Sequence, residues 1–191
     1  MRLLLDQIEQ SLNHKLYYLS LMAALAIPDI TGALDSDDGH ALPERYKAWF
    51  EAWVRPRAGE ILRRILPPHM VQALSQIPGG IPGFESPLTG DACYRFRCSL
   101  LHQGRSQHPG SPYERIIFVE PGTTTNVIHY SMSNNVLIID VNMFCLEVIA
   151  GARLWLDANE DTERYHSNYA NFARRHPNGL SPFLGGVPVI G

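Results

Sequence analysis

The segment VNMFCLEVIAGARLWL, residues 141–156, decides the fold predicted for this chain. Its apolar residues recur every three or four positions, which is the spacing of an α-helix. A helix with so wide an apolar stripe must be covered by other elements over most of its surface. We therefore predict a central, largely buried helix. Its apolar stripe consists of Val141, Phe144, Cys145, Val148, Ile149, Ala152, Trp155 and Leu156.

Two further helices are predicted in the first third of the chain. Apolar residues at helical spacing predict the first over residues 5–23. Pro28 should end it, because proline cannot donate to the helical ladder, and residues 27–39 should then form a loop with an acidic tip. The second helix begins near Pro43, a residue suited to a first turn, and runs to residue 66 with one interruption at a proline.

The remaining two helices flank the central one in sequence. Ser86 offers a hydroxyl cap for a helix over residues 87–103, and Gly104 is a natural stop. A last helix begins near Asp161. Its carboxyl end carries the cationic residues 174–176, where positive charge is favoured.

A small β element is predicted between the third helix and the central helix. Residues 115–119 and 126–131 have the composition of strands on either side of a turn at Pro121. They predict an inserted β-hairpin within about residues 114–139. Residues 136–139 fit either a third strand or the first turn of the central helix.

These elements predict a single domain over residues 1–191. The fold class is all-α with minor β: a helical bundle of about five helices, the inserted hairpin and an extended C-terminal strap over residues 177–191. Because 45% of the residues are hydrophobic, the chain can bury a substantial core.

Composition limits the class of protein. The net charge of −3 argues against a protein that coats nucleic acid through general positive charge. The sparse, odd set of three cysteines indicates a reduced, cytoplasmic protein. The apolar run 16–27 resembles a secretory signal, but Asp6 and Glu9 put acid where a signal carries base. The same run is shorter than the roughly 20 apolar residues that span a bilayer, so we expect no membrane partner.

Positive charge is concentrated around the end of the third helix and the loop after it. Residues 92–113 contain no Asp or Glu. This pattern favours a bound anion, most naturally phosphate. An alternative is that cations merely complement the helix carboxyl end, although that leaves the earlier arginines unexplained. The cations of the stretch are Arg95, Arg97, His102, Arg105 and His108.

Arg97 and His102 are the candidate catalytic residues. A guanidinium stabilises charge on a pentacoordinate phosphorus, and an imidazole exchanges the protons. No metal is needed if the nucleophile is a ribose 2′-hydroxyl. A zinc site at Cys98 and His102 lacks four convincing ligands, so we predict no metal and no cofactor. The candidate substrate-binding residues are Tyr94, Arg95, Cys98, Gln103 and Arg105.

The run Arg97-x4-His102, late in a helix, resembles the R-x4-6-H motif of the HEPN superfamily. The string over residues 94–104 is also similar to a group of uncharacterised bacterial proteins, as are residues 27–30 and 45–50. The resemblance implies a HEPN-like homodimer whose two motif helices face each other across a positively charged cleft. It implies a metal-independent endoribonuclease with Arg97 and His102 as its catalytic pair. Such proteins occur in toxin–antitoxin and phage-defence systems, so RNA is the implied substrate and an antitoxin a candidate partner.

One position departs from the pattern of that superfamily. Its nuclease members usually carry Asn directly after the arginine, and this chain has Cys98. Two alternatives therefore stay open: a non-catalytic HEPN-like dimer that binds RNA, a nucleotide or a protein partner, and a structural domain in which Arg97 and His102 satisfy buried carbonyls. Asp29 is interpreted as a cap or loop anchor, or as an acid that orients His102.

Overall fold

The computed structural model describes residues 1–76, 84–123 and 128–191. The chain is mainly helical with a few short strands, as predicted. The described helices, apart from one 3₁₀ turn, are α1 (Arg2–Asn13), α2 (Tyr17–Leu34), α3 (Pro43–Trp53), α4 (Ala58–Ile65), α5 (Pro68–Ser75), α6 (Gly90–Gln103), α7 (Val141–Asn159) and α8 (Glu163–Tyr169).

Helix α7 is the central helix, which confirms the first prediction. Its stripe is buried along its whole length, from Val141 to Leu156. It packs against α1, α2, α3 and α4, so most of its surface is covered. The side chain of Asp140 caps its first turn by accepting a hydrogen bond from the backbone N–H of Met143.

The prediction of one helix over residues 5–23 that ends before Pro28 is wrong. The chain breaks between α1 and α2, where Lys15 has a positive φ of 59°. Helix α2 then continues through Pro28 to Leu34, so the loop begins only at Asp35. Proline removes one ladder hydrogen bond, but burial of α2 on neighbouring helices outweighs that loss.

Helix α2 is long and apolar enough to span a membrane, because it extends beyond the apolar run 16–27 considered in the sequence. It is 18 residues long with a mean hydropathy of 1.3, and half of that window is buried inside the fold. This burial is compatible with the core helix of a soluble protein.

Helix α3 begins at Pro43, and the 3₁₀ turn Arg55–Arg57 follows it at the predicted interruption. The sequence did not predict α5. Helix α6 starts at Gly90, later than predicted, because the hydroxyl of Thr89 caps it by accepting from Ala92 N–H. It ends at Gly104 in the left-handed conformation, as predicted.

The predicted hairpin around Pro121 is wrong in its pairing. Strand β1 (Arg115–Val119) pairs in parallel with β3 (Val136–Asp140), and β2 (Ser131–Ser133) pairs antiparallel with β3. The hairpin therefore turns between β2 and β3. Of the predicted strand 126–131, residues 126 and 127 lie outside the described residues, and residues 128–130 lie before β2. Ser131 is the first residue of β2.

Asn134 and Asn135 make the turn between β2 and β3. Both have positive φ, 48° and 61°, as a two-residue type I′ turn requires. Residues 136–139 are thus a strand rather than a first helical turn. The predicted hairpin had the right region but the wrong partner.

The C-terminal segment doubles back on itself. Helix α8 ends at Tyr169, so the cationic residues 174–176 do not lie at its carboxyl end, and two of them form strand β4 (Arg175–His176). Strand β4 pairs with β7 (Val189–Ile190). Between them β5 (Gly179–Leu180) pairs with β6 (Leu184–Gly185), so the predicted strap is two short ribbons.

Candidate functional site

Arg97 and His102 meet at the carboxyl end of α6. Nη1 of Arg97 lies 2.9 Å from Nε2 of His102, and the imidazole is exposed to solvent. Arginine has donors only, so the ring nitrogen accepts the hydrogen bond and the imidazole in this contact is neutral, with its proton on Nδ1. The two residues singled out from the sequence are therefore in direct contact.

Asp29, on helix α2, supplies the third polar group of the site. Its Oδ2 lies 2.5 Å from Nη2 of Arg97, and the two side chains keep only 14% and 18% of their surface exposed. Asp29 therefore holds the arginine rather than anchoring a loop. Two atoms of this ion pair, Oδ2 of Asp29 and Nε of Arg97, are buried but make no hydrogen bond of good geometry.

The ion pair is costly to bury. Burial raises the pKa of Asp29, and the nearby Arg97 charge opposes this rise without cancelling it. A buried ion pair often contributes little to the stability of a fold. Carboxyl groups with a shifted pKa are concentrated at functional sites, so Asp29 is a candidate for a functional role. The sequence held a signal for it, because Asp29 is the only charged residue in α2.

Tyr94 and Cys98 lie beside Arg97 on α6. The sulfur of Cys98 is 3.8 Å from Nη1 of Arg97, and Cys98 is half-buried. The ring of Tyr94 packs edge-on against Tyr46, with centroids 5.3 Å apart. Burial, followed by the contact with Cys98, raises the pKa of Tyr94. These two residues form part of the wall around the guanidinium.

The structure also bears on the zinc alternative. Cys93 is buried, and its sulfur lies 3.3 Å from the hydroxyl of Tyr46. Within residues 1–76, 84–123 and 128–191, no group of three or more His, Cys, Asp or Glu side chains is arranged to hold a metal ion.

The acid-free stretch is less positive in the fold than in the sequence. Nε of Arg95 lies 2.6 Å from Asp91, which also pairs with Lys47 at 3.0 Å. Arg95 is therefore neutralised by a neighbour just outside the stretch, and Arg97 by a residue of another helix. Gln103 and Arg105 are exposed, and no ion pair of Arg105 is found among the described residues.

A second polar cluster lies inside the core and was missed by sequence reasoning. Nε2 of His129 lies 2.9 Å from Oε1 of Glu147, and the hydroxyl of Tyr130 donates to Oε2. The backbone N–H of Asp140 donates to Nδ1 of His129, so the ring is neutral and donates through Nε2. All three side chains are buried, and they join the turn directly before β2 to α7.

We compared the chain with protein-family models, curated proteins and solved structures, and none of them matches it.

Proposed function

We propose that this protein is a metal-independent endoribonuclease of HEPN type that cleaves RNA with Arg97 and His102. The observation that carries the proposal is the contact of Arg97 Nη1 with His102 Nε2, 2.9 Å apart at an exposed helix end. A guanidinium can stabilise the charge that develops on phosphorus, and an imidazole can exchange protons. Holding the two groups side by side favours a reaction at a single phosphate.

The proposed reaction is an internal transfer at phosphorus. The ribose 2′-oxygen attacks the adjacent phosphorus, and the bond from phosphorus to the 5′-oxygen breaks. The products are a 2′,3′-cyclic phosphate and a 5′-hydroxyl. His102 takes the proton of the 2′-hydroxyl and returns one proton to the leaving 5′-oxygen.

The contact seen in the free protein suggests how the reaction starts. Nη1 of Arg97 donates to Nε2 of His102, which is the nitrogen that would accept the 2′ proton. A phosphate that binds Arg97 competes for this donor and so frees Nε2. Asp29 contacts Nη2 and keeps the guanidinium in place during the exchange.

The HEPN resemblance adds a homodimer to this proposal. A second copy would place its own α6 opposite the first, with RNA in the cleft between them. Tyr94, Cys98, Gln103 and Arg105 are the proposed substrate contacts, whereas Arg95 is held by Asp91. A cytoplasmic protein of this kind would act in a toxin–antitoxin or phage-defence system, with an antitoxin as its partner.

A second candidate function is binding without cleavage. The ion pair with Asp29 compensates the charge of Arg97, which weakens its attraction for phosphate. Cys98 also stands where the nuclease members usually have Asn. Both observations favour a non-catalytic dimer that binds RNA, a nucleotide or a protein partner through the same cleft.

An RNA cleavage assay tests the proposal. Purified protein is incubated in EDTA with an RNA oligonucleotide and with the same oligonucleotide carrying 2′-deoxy sugars. We expect cleavage of the ribo form alone and a cyclic phosphate at the new end. His102→Ala should abolish cleavage, and His69→Ala, which removes an exposed histidine of α5, should leave it unchanged.

Cleavage of the deoxy form, or full cleavage by His102→Ala, would contradict the proposal. Binding of RNA that weakens with salt, without any cleavage, would favour the second candidate. Chromatography with light scattering measures whether the protein is a dimer.

A further inference from the structure

The loop after α6 borders an open pocket of about 520 Å³. Its walls include Arg105, Tyr113 and Glu114, together with Gln107 and Asn135. The pocket thus combines a cation, an aromatic ring, a carboxylate and two side-chain amides. None of these groups belongs to the contact between Arg97 and His102.

Hydrogen bonds fix the shape of this loop. The hydroxyl of Tyr113 donates to the carbonyl of Pro87 at 2.7 Å, which ties the loop to the segment before α6. The N–H of Glu114 donates to the carbonyl of Asn135 at 3.0 Å, and the N–H of Gly110 donates to Nδ1 of His108 at 3.0 Å. A pocket that is already formed loses little entropy when it binds a ligand.

The two charged groups in the pocket, the guanidinium of Arg105 and the carboxylate of Glu114, are available to a ligand. Arg105 and Glu114 both line the pocket, and neither forms an ion pair with the other or with another side chain of the described residues. Arg95 and Arg97, by contrast, are both paired with aspartates. Arg105 and Glu114 can therefore each bind a group of opposite character on one ligand.

The pocket adjoins the proposed catalytic pair. Arg105 follows His102 by three residues, so their Cα atoms are at most about 11 Å apart. Arg105 is also tied back to the helix, because its N–H donates to the carbonyl of Ser99 at 3.0 Å. One wall residue of the pocket therefore lies close in the chain to the proposed catalytic imidazole.

We propose that the pocket binds one guanine nucleotide of the RNA substrate, an inference that rests on the proposed function. Arg105 binds a phosphate, and Tyr113 provides an aromatic surface for the base. The carboxylate of Glu114 accepts from N1–H and the N2 amino group of guanine, which present two adjacent donors. Uracil has a single N–H on that edge and cannot make the pair. The amides of Gln107 and Asn135 are donors for the guanine O6.

Calorimetric titration of the full chain with 5′-GMP and 5′-UMP tests the pocket without any cleavage. We expect GMP to bind about tenfold tighter than UMP, as a bidentate contact implies. Glu114→Gln should remove this selectivity, and Arg105→Ala should weaken both nucleotides by a similar factor. The matched controls are Glu120→Gln and Arg64→Ala, which change exposed residues outside the pocket and should leave both affinities unchanged.

Equal affinities for GMP and UMP, or selectivity that survives Glu114→Gln, would overturn the inference. The cleavage assay separates this failure from failure of the proposed function. Cleavage with no preference for guanine, unchanged in Glu114→Gln, would remove the pocket but keep the nuclease. Selective GMP binding that depends on Arg105 and Glu114, in a protein that cuts no RNA, would remove the nuclease but keep the pocket.

Discussion

The ion pair between Arg97 and Asp29 offers a test that separates a structural role of Arg97 from a catalytic one. Arg97→Met keeps an unbranched stem in place of the arginine's aliphatic part but leaves the Asp29 carboxylate without its cation. An exposed ion pair contributes about 0.2–1 kcal/mol, and breaking a fully buried pair costs about 3–5 kcal/mol. These two side chains are 18% and 14% exposed. We therefore expect the free energy of unfolding to fall by about 2 kcal/mol near neutral pH.

The loss should depend on pH in a definite direction. Burial raises the pKa of Asp29 above its usual 3.8, and Arg97 opposes that rise. Without Arg97 the folded-state pKa rises further. A carboxyl with a raised folded-state pKa contributes stability that is present below its unfolded value and lost as pH rises through the folded value. The gap between Arg97→Met and the unchanged protein should therefore be widest near neutral pH and close toward 3.8.

Urea unfolding followed by circular dichroism, at about pH 7 and about pH 4, measures both effects. In a chain of this length the expected loss corresponds to a fall of about 4–8 °C in melting temperature at neutral pH. The double variant Arg97→Met with Asp29→Asn should recover most of the stability, because no uncompensated charge is left. It should still fail to cleave RNA. An equal gap at both pH values, or a double variant no more stable than the single one, would refute the reasoning.

Three further predictions concern the fold around the site. Glu147→Ala leaves two buried donors without an acceptor, so it should cost about 3–5 kcal/mol, seen as a lower urea midpoint. Gly90→Ala places a Cβ 2.4 Å from the carbonyl oxygen of Lys47. This clash should lower the free energy of unfolding by about 1–3 kcal/mol in the same assay. An unchanged urea midpoint would show that α3 and α6 can separate freely. A thiol reagent should titrate only Cys98 in the native protein, because burial raises the pKa of both other thiols, that of Cys93 to about 12. Reaction of all three thiols in the native protein would contradict the burial of Cys93 and Cys145.

Local signals made part of the fold predictable. The buried stripe of α7, the first turn of α3 at Pro43 and the end of α6 at Gly104 all depend on residues within a turn or two of each other. Backbone hydrogen bonds in a helix join residues four apart, so spacing and capping residues are enough to indicate them.

The strand pairing could not be predicted in the same way. The composition of residues 115–119 indicates a strand but does not indicate which strand it joins. A parallel partner requires the chain to cross over before pairing, so β1 pairs with β3 rather than with the residues that directly follow it. The Asn134–Asn135 turn was the local signal that would have placed the hairpin correctly.

In the candidate site, too, some features follow from local sequence and others only from the packing of distant segments. The sequence alone placed Arg97 and His102 five residues apart on one helix, where the long arginine side chain can reach back toward the imidazole. Only the tertiary structure decided that Asp29 holds Arg97 and that Arg105, which has no ion pair among the described residues, lines a pocket. The physical reason is that α2 meets α6 only when the whole chain packs its apolar faces together. That packing makes Asp29 the partner of Arg97, because the two residues lie on different helices far apart in the sequence.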